Sequence, residues 1–135
     1  MSMPGNYNQI VIEKFRANGG DVGGPNPLLL LTTIGAKSGQ PRTTPVAYST
    51  DGTRLVIVAS KGGGPTNPDW YHNLLANPIV TVELGDERFQ ARATVAKGQE
   101  RERLYAQHAA LMPGFAEYQR KTTRQIPVVL LDRID

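Results

Sequence analysis

"TTPVAYSTDGTRLVIVAS" occupies residues 43–60 and holds the reading on which the fold turns. Residues 43–50 hold three Thr with Val46 and Tyr48, and "RLVIVAS" (residues 54–60) is apolar and β-branched. Between them stands Asp51-Gly52, the dipeptide that most strongly marks a tight hairpin turn. The stretch therefore reads as strand, turn, returning strand. Upstream, "LLLLTTI" (residues 28–34) is a further apolar strand signal. Downstream, "IVTVEL" and "ERFQARATV" flank Gly85-Asp86 as a second hairpin. In the latter strand Phe89, Ala91, Ala93 and Val95 alternate with Gln90, Arg92 and Thr94, which predicts one wet face. "IPVVLL" (residues 126–131) closes the set.

Helical patterns lie outside these hairpins. Residues 7–18 read as an amphipathic helix with Tyr7, Ile10, Val11 and Phe15 near one face, stopped by Asn18-Gly19-Gly20. Residues 21–27 are turn-rich and read as a linker. A helix starting near Asn67-Pro68 carries Trp70, Tyr71, Leu74 and Leu75 on one face and ends at Pro78. Another runs from about Gln99 to Leu111, followed by a short helical piece with Phe115 and Tyr118. About six strands joined mostly by hairpins, without β-α-β alternation, predict an α+β antiparallel barrel with helices packed outside. The expected organisation is a single domain, residues 1–135, with an N-terminal helix in 1–20 and a barrel core in 28–132.

Composition narrows the chemistry. The 135 residues contain no cysteine, which excludes disulfides, thiolate catalysis and cysteine-ligated metals. The two histidines, His72 and His108, are far apart and form no HxxxH-type pair, so no metal site is expected; both read as half-exposed helix residues, and neither has the neighbours of a triad. A net charge of +3 spread along the chain favours anionic small partners but not nucleic acid. The N-terminus "MSMPGNYNQ" has no apolar core of a signal peptide, and no apolar run approaches a membrane span, so a cytoplasmic protein is expected.

Two loops carry the candidate chemistry. "IGAKSGQPR" (residues 34–42) places Lys37 and Ser38 between two glycines with Arg42 just beyond them, and "ASKGGGP" (residues 59–65) repeats the theme with Ser60, Lys61 and three glycines. Glycines let backbone N–H groups turn toward an anion, and Lys and Arg add charge. The spacing is not that of a P-loop. Each loop also fits an ordinary solvated turn; two of them at strand ends favour an anion-bearing ligand. Trp70 reads as core, and Phe115 with Tyr118, at i and i+3, as a satellite apolar contact. Arg120, Lys121 and Arg124 read as a solvated face.

Three stretches in this order, "TTIGAKSGQPRTTPVAY" (32–48), "VIVASKGGGPTNPDWYHNLLANP" (56–78) and "TRQIPVVLL" (123–131), resemble the deazaflavin-dependent nitroreductase family. The resemblance spans about residues 28–132. It implies a split β-barrel that binds the 5-deazaflavin coenzyme F420 and passes hydride to a quinone, enone or nitro compound. It implies cofactor contacts from Ala36, Lys37 and Ser38; from Arg42, Thr43, Thr44, Pro45, Val46 and Ala47; and from Val58, Ala59, Ser60 and Lys61. Asp69, Trp70, Tyr71, His72, Asn73 and Phe115 complete that set. Lys37, Arg42 and Lys61 would meet the anionic phosphodiester and glutamate tail, and Ser60 would sit near the deazaflavin ring. The acceptor would lie against Ala47, Met112, Phe115 and Tyr118, with Tyr118 the candidate proton donor. Members that activate bicyclic nitroimidazoles are tyrosine-rich where this chain has Met112 and Phe115, which points to quinones or enones instead. An FMN-dependent reductase on the same barrel and a non-catalytic deazaflavin-binding protein are the alternatives. A lipid-soluble quinone would add peripheral membrane contact.

Overall fold

The computed structural model describes residues 3–134. Among them are seven strands and four α-helices: α1 (Met3–Ala17), β1 (Leu28–Ile34), β2 (Pro41–Ala47), β3 (Ser49–Asp51), β4 (Arg54–Val58), α2 (Asp69–Ala76), β5 (Ile79–Leu84), β6 (Glu87–Val95), α3 (Gly98–Leu111), α4 (Gly114–Arg120) and β7 (Val128–Arg133). All strand pairs are antiparallel, in the order β2-β1-β5-β6-β7-β4-β3.

The segment read as one strand over residues 43–50 is two. β2 ends at Ala47, β3 begins at Ser49, and Tyr48 alone joins them. Yet β2 and β3 are the opposite edges of the sheet. Laid flat, seven strands would separate those edges by roughly 29 Å at ~4.8 Å per spacing. Two Cα–Cα steps span at most about 7.6 Å. The sheet must therefore roll until its edges meet, and the expected barrel is the result. Both tight turns form: Asp51 pairs with Arg54 around Gly52-Thr53, and Leu84 pairs with Glu87 around Gly85-Asp86.

Alternation along the strands sorts the core. Leu29, Leu31, Val46, Leu55, Ile57, Val80, Val82, Phe89, Ala91, Ala93, Val129 and Leu131 fill the barrel with Trp70 and Leu74 from α2. Val56, Val58, Val128 and Leu130 face outward, where α3 and α4 cover them with Leu104, Tyr105, Met112 and Phe115. Leu30 points outward under Ile12 and Phe15 of α1. The buried face of α1 is thus Ile12 and Phe15; Tyr7 and Ile10, expected on it, are exposed. Leu75, expected beside Trp70 and Leu74, is also exposed, because α2 is too short to bury more than one narrow stripe.

His108 departs furthest from expectation. It is completely buried on the inward face of α3, its Nδ1 2.7 Å from Ser49 Oγ, its ring edge-on to Phe115 at 4.5 Å, and its Nε2 has no partner among the described residues. Burial pushes its pKa down to about 4. The neutral ring is what the fold accommodates, while the unfolded chain takes up a proton near the ordinary value of 6.5. Stability should accordingly be full above that value and fall as pH drops toward 4, by about 3 kcal/mol if the whole shift is realised. Urea unfolding of wild type and His108→Gln across pH 7 to 4 checks this: the slope in that window should flatten in the variant.

Candidate functional site

The barrel leaves a cleft of about 780 Å³ where β1 ends, lined by the 35–38 turn, the start of β2, α2 and Asn8 of α1. Its form follows from local chain chemistry. After Ile34 the chain makes a single helical turn closed by Gly39 N–H to Gly35 O at 2.9 Å, then returns as β2 with Gly35 N–H on Gln40 O at 2.8 Å. The first N–H groups of such a turn have no partner within it. That of Ala36 is taken by Asn73 Oδ1 at 2.9 Å; those of Lys37 and Ser38 have no acceptor among the described residues. A Cβ at Gly35 would run into Ser38 Oγ, so any other residue there would have to displace that hydroxyl from the turn.

Asn73 is the keystone of this corner. It is buried on α2, accepts from Ala36 N–H, and donates from Nδ2 to Thr33 Oγ1 at 3.1 Å. One side chain thus ties α2 to the last turn of β1 and to the cleft rim. On the neighbouring register pair, Thr32 and Thr43 share a hydroxyl hydrogen bond at 2.8 Å.

Ten of the residues expected to hold a cofactor come together here: Ala36, Lys37, Ser38, Arg42, Thr43, Thr44, Asp69, Trp70, His72 and Asn73 all line the cleft. Lys37 and Arg42 are exposed and form no ion pair among the described residues. Asp69 is the carboxylate of the lining, so the excess there is one positive charge. Trp70 serves both readings, with one side in the barrel core and an edge on the cleft.

The remaining expected residues lie elsewhere. Val46 and Ala59 are in the barrel core, with Tyr71 against it, and Val58 is in the outer cluster. Pro45 is half-buried in β2. Ser60 is buried and Lys61 exposed, in the loop after β4, where Lys61 Nζ donates to Thr66 Oγ1. Met112 and Phe115 are buried in the outer cluster, with Ala47 and Tyr118 half-buried against it, so the four residues expected at the acceptor do form one apolar group. The Phe115 and Tyr118 rings meet edge-on at 5.2 Å.

Sequence reading missed Asn8, Thr33 and Arg124. Asn8 sits outside every motif and enters the cleft only because α1 lies along the sheet, tied by a bidentate Arg16–Glu83 pair at 2.9 and 2.8 Å. Thr33 could have been found as the polar residue interrupting an apolar strand. Arg124, expected in solvent, is half-buried against the loop after β4.

A family model described as F420H(2)-dependent quinone reductase matches residues 8–133. The chain belongs to the F420H(2)-dependent quinone reductase family. The match begins at Asn8, so it takes in α1 as well as the barrel. A relative in Mycobacterium tuberculosis (strain ATCC 25618 / H37Rv), named an F420H(2)-dependent quinone reductase, is 42% identical over 128 residues, 88% of this chain and 85% of the relative. Among solved structures, an F420-H2 dependent reductase (FDR-A) superposes with a TM-score of 0.73 at 42% identity, covering 78% of this chain and 94% of that one. A domain-swapped dimer gives 0.74 at 36% identity, covering 96% and 100%. The fold of this F420H(2)-dependent quinone reductase family member is the split β-barrel.

Asn73→Ala leaves the Ala36 N–H and the Thr33 hydroxyl without their partner. A loss of about 1–3 kcal/mol is expected in denaturant unfolding, with faster amide exchange at Ala36 than at residues of β6.

Proposed function

We propose that this protein is an oxidoreductase that uses reduced F420 to reduce quinones. The observation that carries the reading is the set of donors on the cleft without a partner among the described residues: the Lys37 and Arg42 side chains and the Lys37 and Ser38 N–H groups, in a member of this family. That donor set fits a cofactor with a phosphodiester and a glutamate tail. The Thr43 and Thr44 hydroxyls and the His72 ring add further polar contacts beside it.

Bound reduced F420 supplies a hydride, which together with one proton converts a quinone to a hydroquinone. The chain's own work is binding and orientation. Lys37 and Arg42 hold the anionic tail, with Lys61 at the second loop. The Ser60 region holds the ring end. Ala47, Met112, Phe115 and Tyr118 offer the acceptor an apolar wall that excludes water. Tyr118 Oη is the proton-holding atom beside that wall, with solvent as the other source. A lipid-soluble quinone would bring the protein to a bilayer surface, where the exposed Tyr7 and Ile10 of α1 are apolar side chains available for contact; no described helix is long and apolar enough to cross it.

Fluorescence titration with oxidised F420, run beside FMN, tests the cofactor. Tighter binding of F420 is expected, and equal or tighter FMN binding rejects the assignment. Lys37→Ala and Arg42→Ala should each weaken F420 affinity by about tenfold, the effect of losing roughly 1.4 kcal/mol of charge-assisted contact. Salt should weaken wild type more than the variants, and kcat at saturating cofactor should change little, because tail contacts are equal in ground and transition states.

Acceptor preference is a separate measurement. A quinone series should give higher kcat/KM than bicyclic nitroimidazoles, as expected for a wall built from Met112 and Phe115. Tyr118→Phe should lower kcat with little change in F420 affinity; an unchanged kcat assigns the proton to solvent.

A further inference from the structure

Arg124 lies between α4 and β7, and its guanidinium is engaged almost entirely by backbone. Nε donates to Gly64 O at 3.0 Å, Nη2 to Ser60 O at 2.8 Å, and both terminal nitrogens to Ala59 O at 3.3 Å. Nη1 also donates to Asn67 Oδ1 at 2.6 Å. No carboxylate forms an ion pair with it among the described residues. The arginine is itself held from behind: Gln119 Nε2 donates to its carbonyl at 2.8 Å, and its N–H reaches Thr122 Oγ1 at 3.3 Å.

The loop so gripped has an unusual backbone. Lys61, Gly62 and Gly63 are successive left-handed residues, with φ of 48°, 65° and 83°, and Lys61 is the one non-glycine with positive φ among the described residues. That conformation opposes the ordinary preference of a lysine. A planar fork of five donors can hold several carbonyls at once, which a lysine ammonium in the same place could not reproduce. From the other side α4 closes on the loop: a Cβ at Gly63 would lie 3.0 Å from Tyr118 O.

The consequence concerns the opposite side of these peptides. In a trans peptide the N–H points away from the C=O, and no peptide here is cis. Carbonyls of Ala59 and Ser60 turned to Arg124 therefore turn the N–H groups of Ser60 and Lys61 away from it. Neither N–H has an acceptor among the described residues, although Ser60 is only 8% exposed. A donor of a buried residue without a partner, as at Ser60, calls for one.

We propose that Arg124 is a positioning residue: by holding the Ala59, Ser60 and Gly64 carbonyls it aims the Ser60 and Lys61 N–H groups as a donor pair at an acceptor atom of the bound cofactor's ring. The proposal rests on the F420 reading above. The donors are set before the ligand arrives, so their orientation is not a cost of binding. Arg124 itself touches no substrate in this scheme. It acts through the two peptides.

The test compares wild type with Arg124→Lys and Arg124→Ala. Amide exchange of unliganded protein, read by mass spectrometry over residues 59–64, should rise in both variants. Titration with oxidised F420 should show binding weakened by about tenfold, with the absorption spectrum of the bound chromophore displaced toward that of the free cofactor. Guanidinium chloride below denaturing concentration should restore the spectrum in Arg124→Ala but not in Arg124→Lys, a recovery that loss of packing would not give. If both variants fail to fold, Asn67→Ala, which removes one guanidinium partner, should move the same readouts in the same direction by less. Variants that keep wild-type affinity and spectrum overturn the positioning role alone. A wild type that binds no F420, while exchange over 59–64 still depends on Arg124, overturns the cofactor reading instead.

Discussion

A single residue, Tyr48, joins the two edges of a seven-stranded sheet, and most of the architecture follows from that constraint. The chain cannot pass from β2 to β3 in one step unless the sheet is rolled. Rolling creates an interior, which the barrel core fills, and an exterior that needs covering at two places. β1 makes the exterior requirement plain: Leu29, Leu30 and Leu31 are all fully buried, so the strand has no wet face. Leu30 forces α1 onto the outside of the barrel, and Val56, Val58, Val128 and Leu130 do the same for α3 and α4. β6, at the wet part of the wall, keeps its alternation.

The cleft and the apolar wall lie at different stations along one strand. β2 contributes Arg42, Thr43 and Thr44 to the cleft, and three residues further on Ala47 meets Met112, Phe115 and Tyr118. A cofactor with a charged tail and a flat ring suits a strand that is polar at one end and apolar at the other. The distribution of arginines is consistent with this division. Arg16, Arg54 and Arg103 are paired with carboxylates, and Arg101 is buried on the Ile126 carbonyl and Gln119. Arg42, Arg88 and Arg92 have no ion pair among the described residues, and of these three Arg42 lines the cleft. Exposed pairs contribute little to stability, whereas an unpaired cation at a cleft raises the local concentration of an anionic ligand.

What the sequence by itself determined is local. Hairpin dipeptides placed the turns, period-two alternation placed the wet face of β6, and the two Ser/Lys/Gly loops raised the expectation of an anion-bearing ligand. Their order also carried the family, because three motifs at fixed separations are far more specific than any one of them. Tertiary structure decided whatever depends on which distant residues meet. The break at Tyr48 is invisible locally, since both halves have strand propensity; only the closure of the sheet splits them. His108 and Arg124 looked like surface because histidine and arginine usually are. Each is drawn inside by a partner far along the chain: Ser49 for the first, and the carbonyls of residues 59–64 for the second. Asn8 reaches the cleft through α1, docked by the outward-facing Leu30. Pattern along a chain reports which face of an element is apolar. It does not report which element that face will find, and in this barrel that choice was made by the rolled sheet.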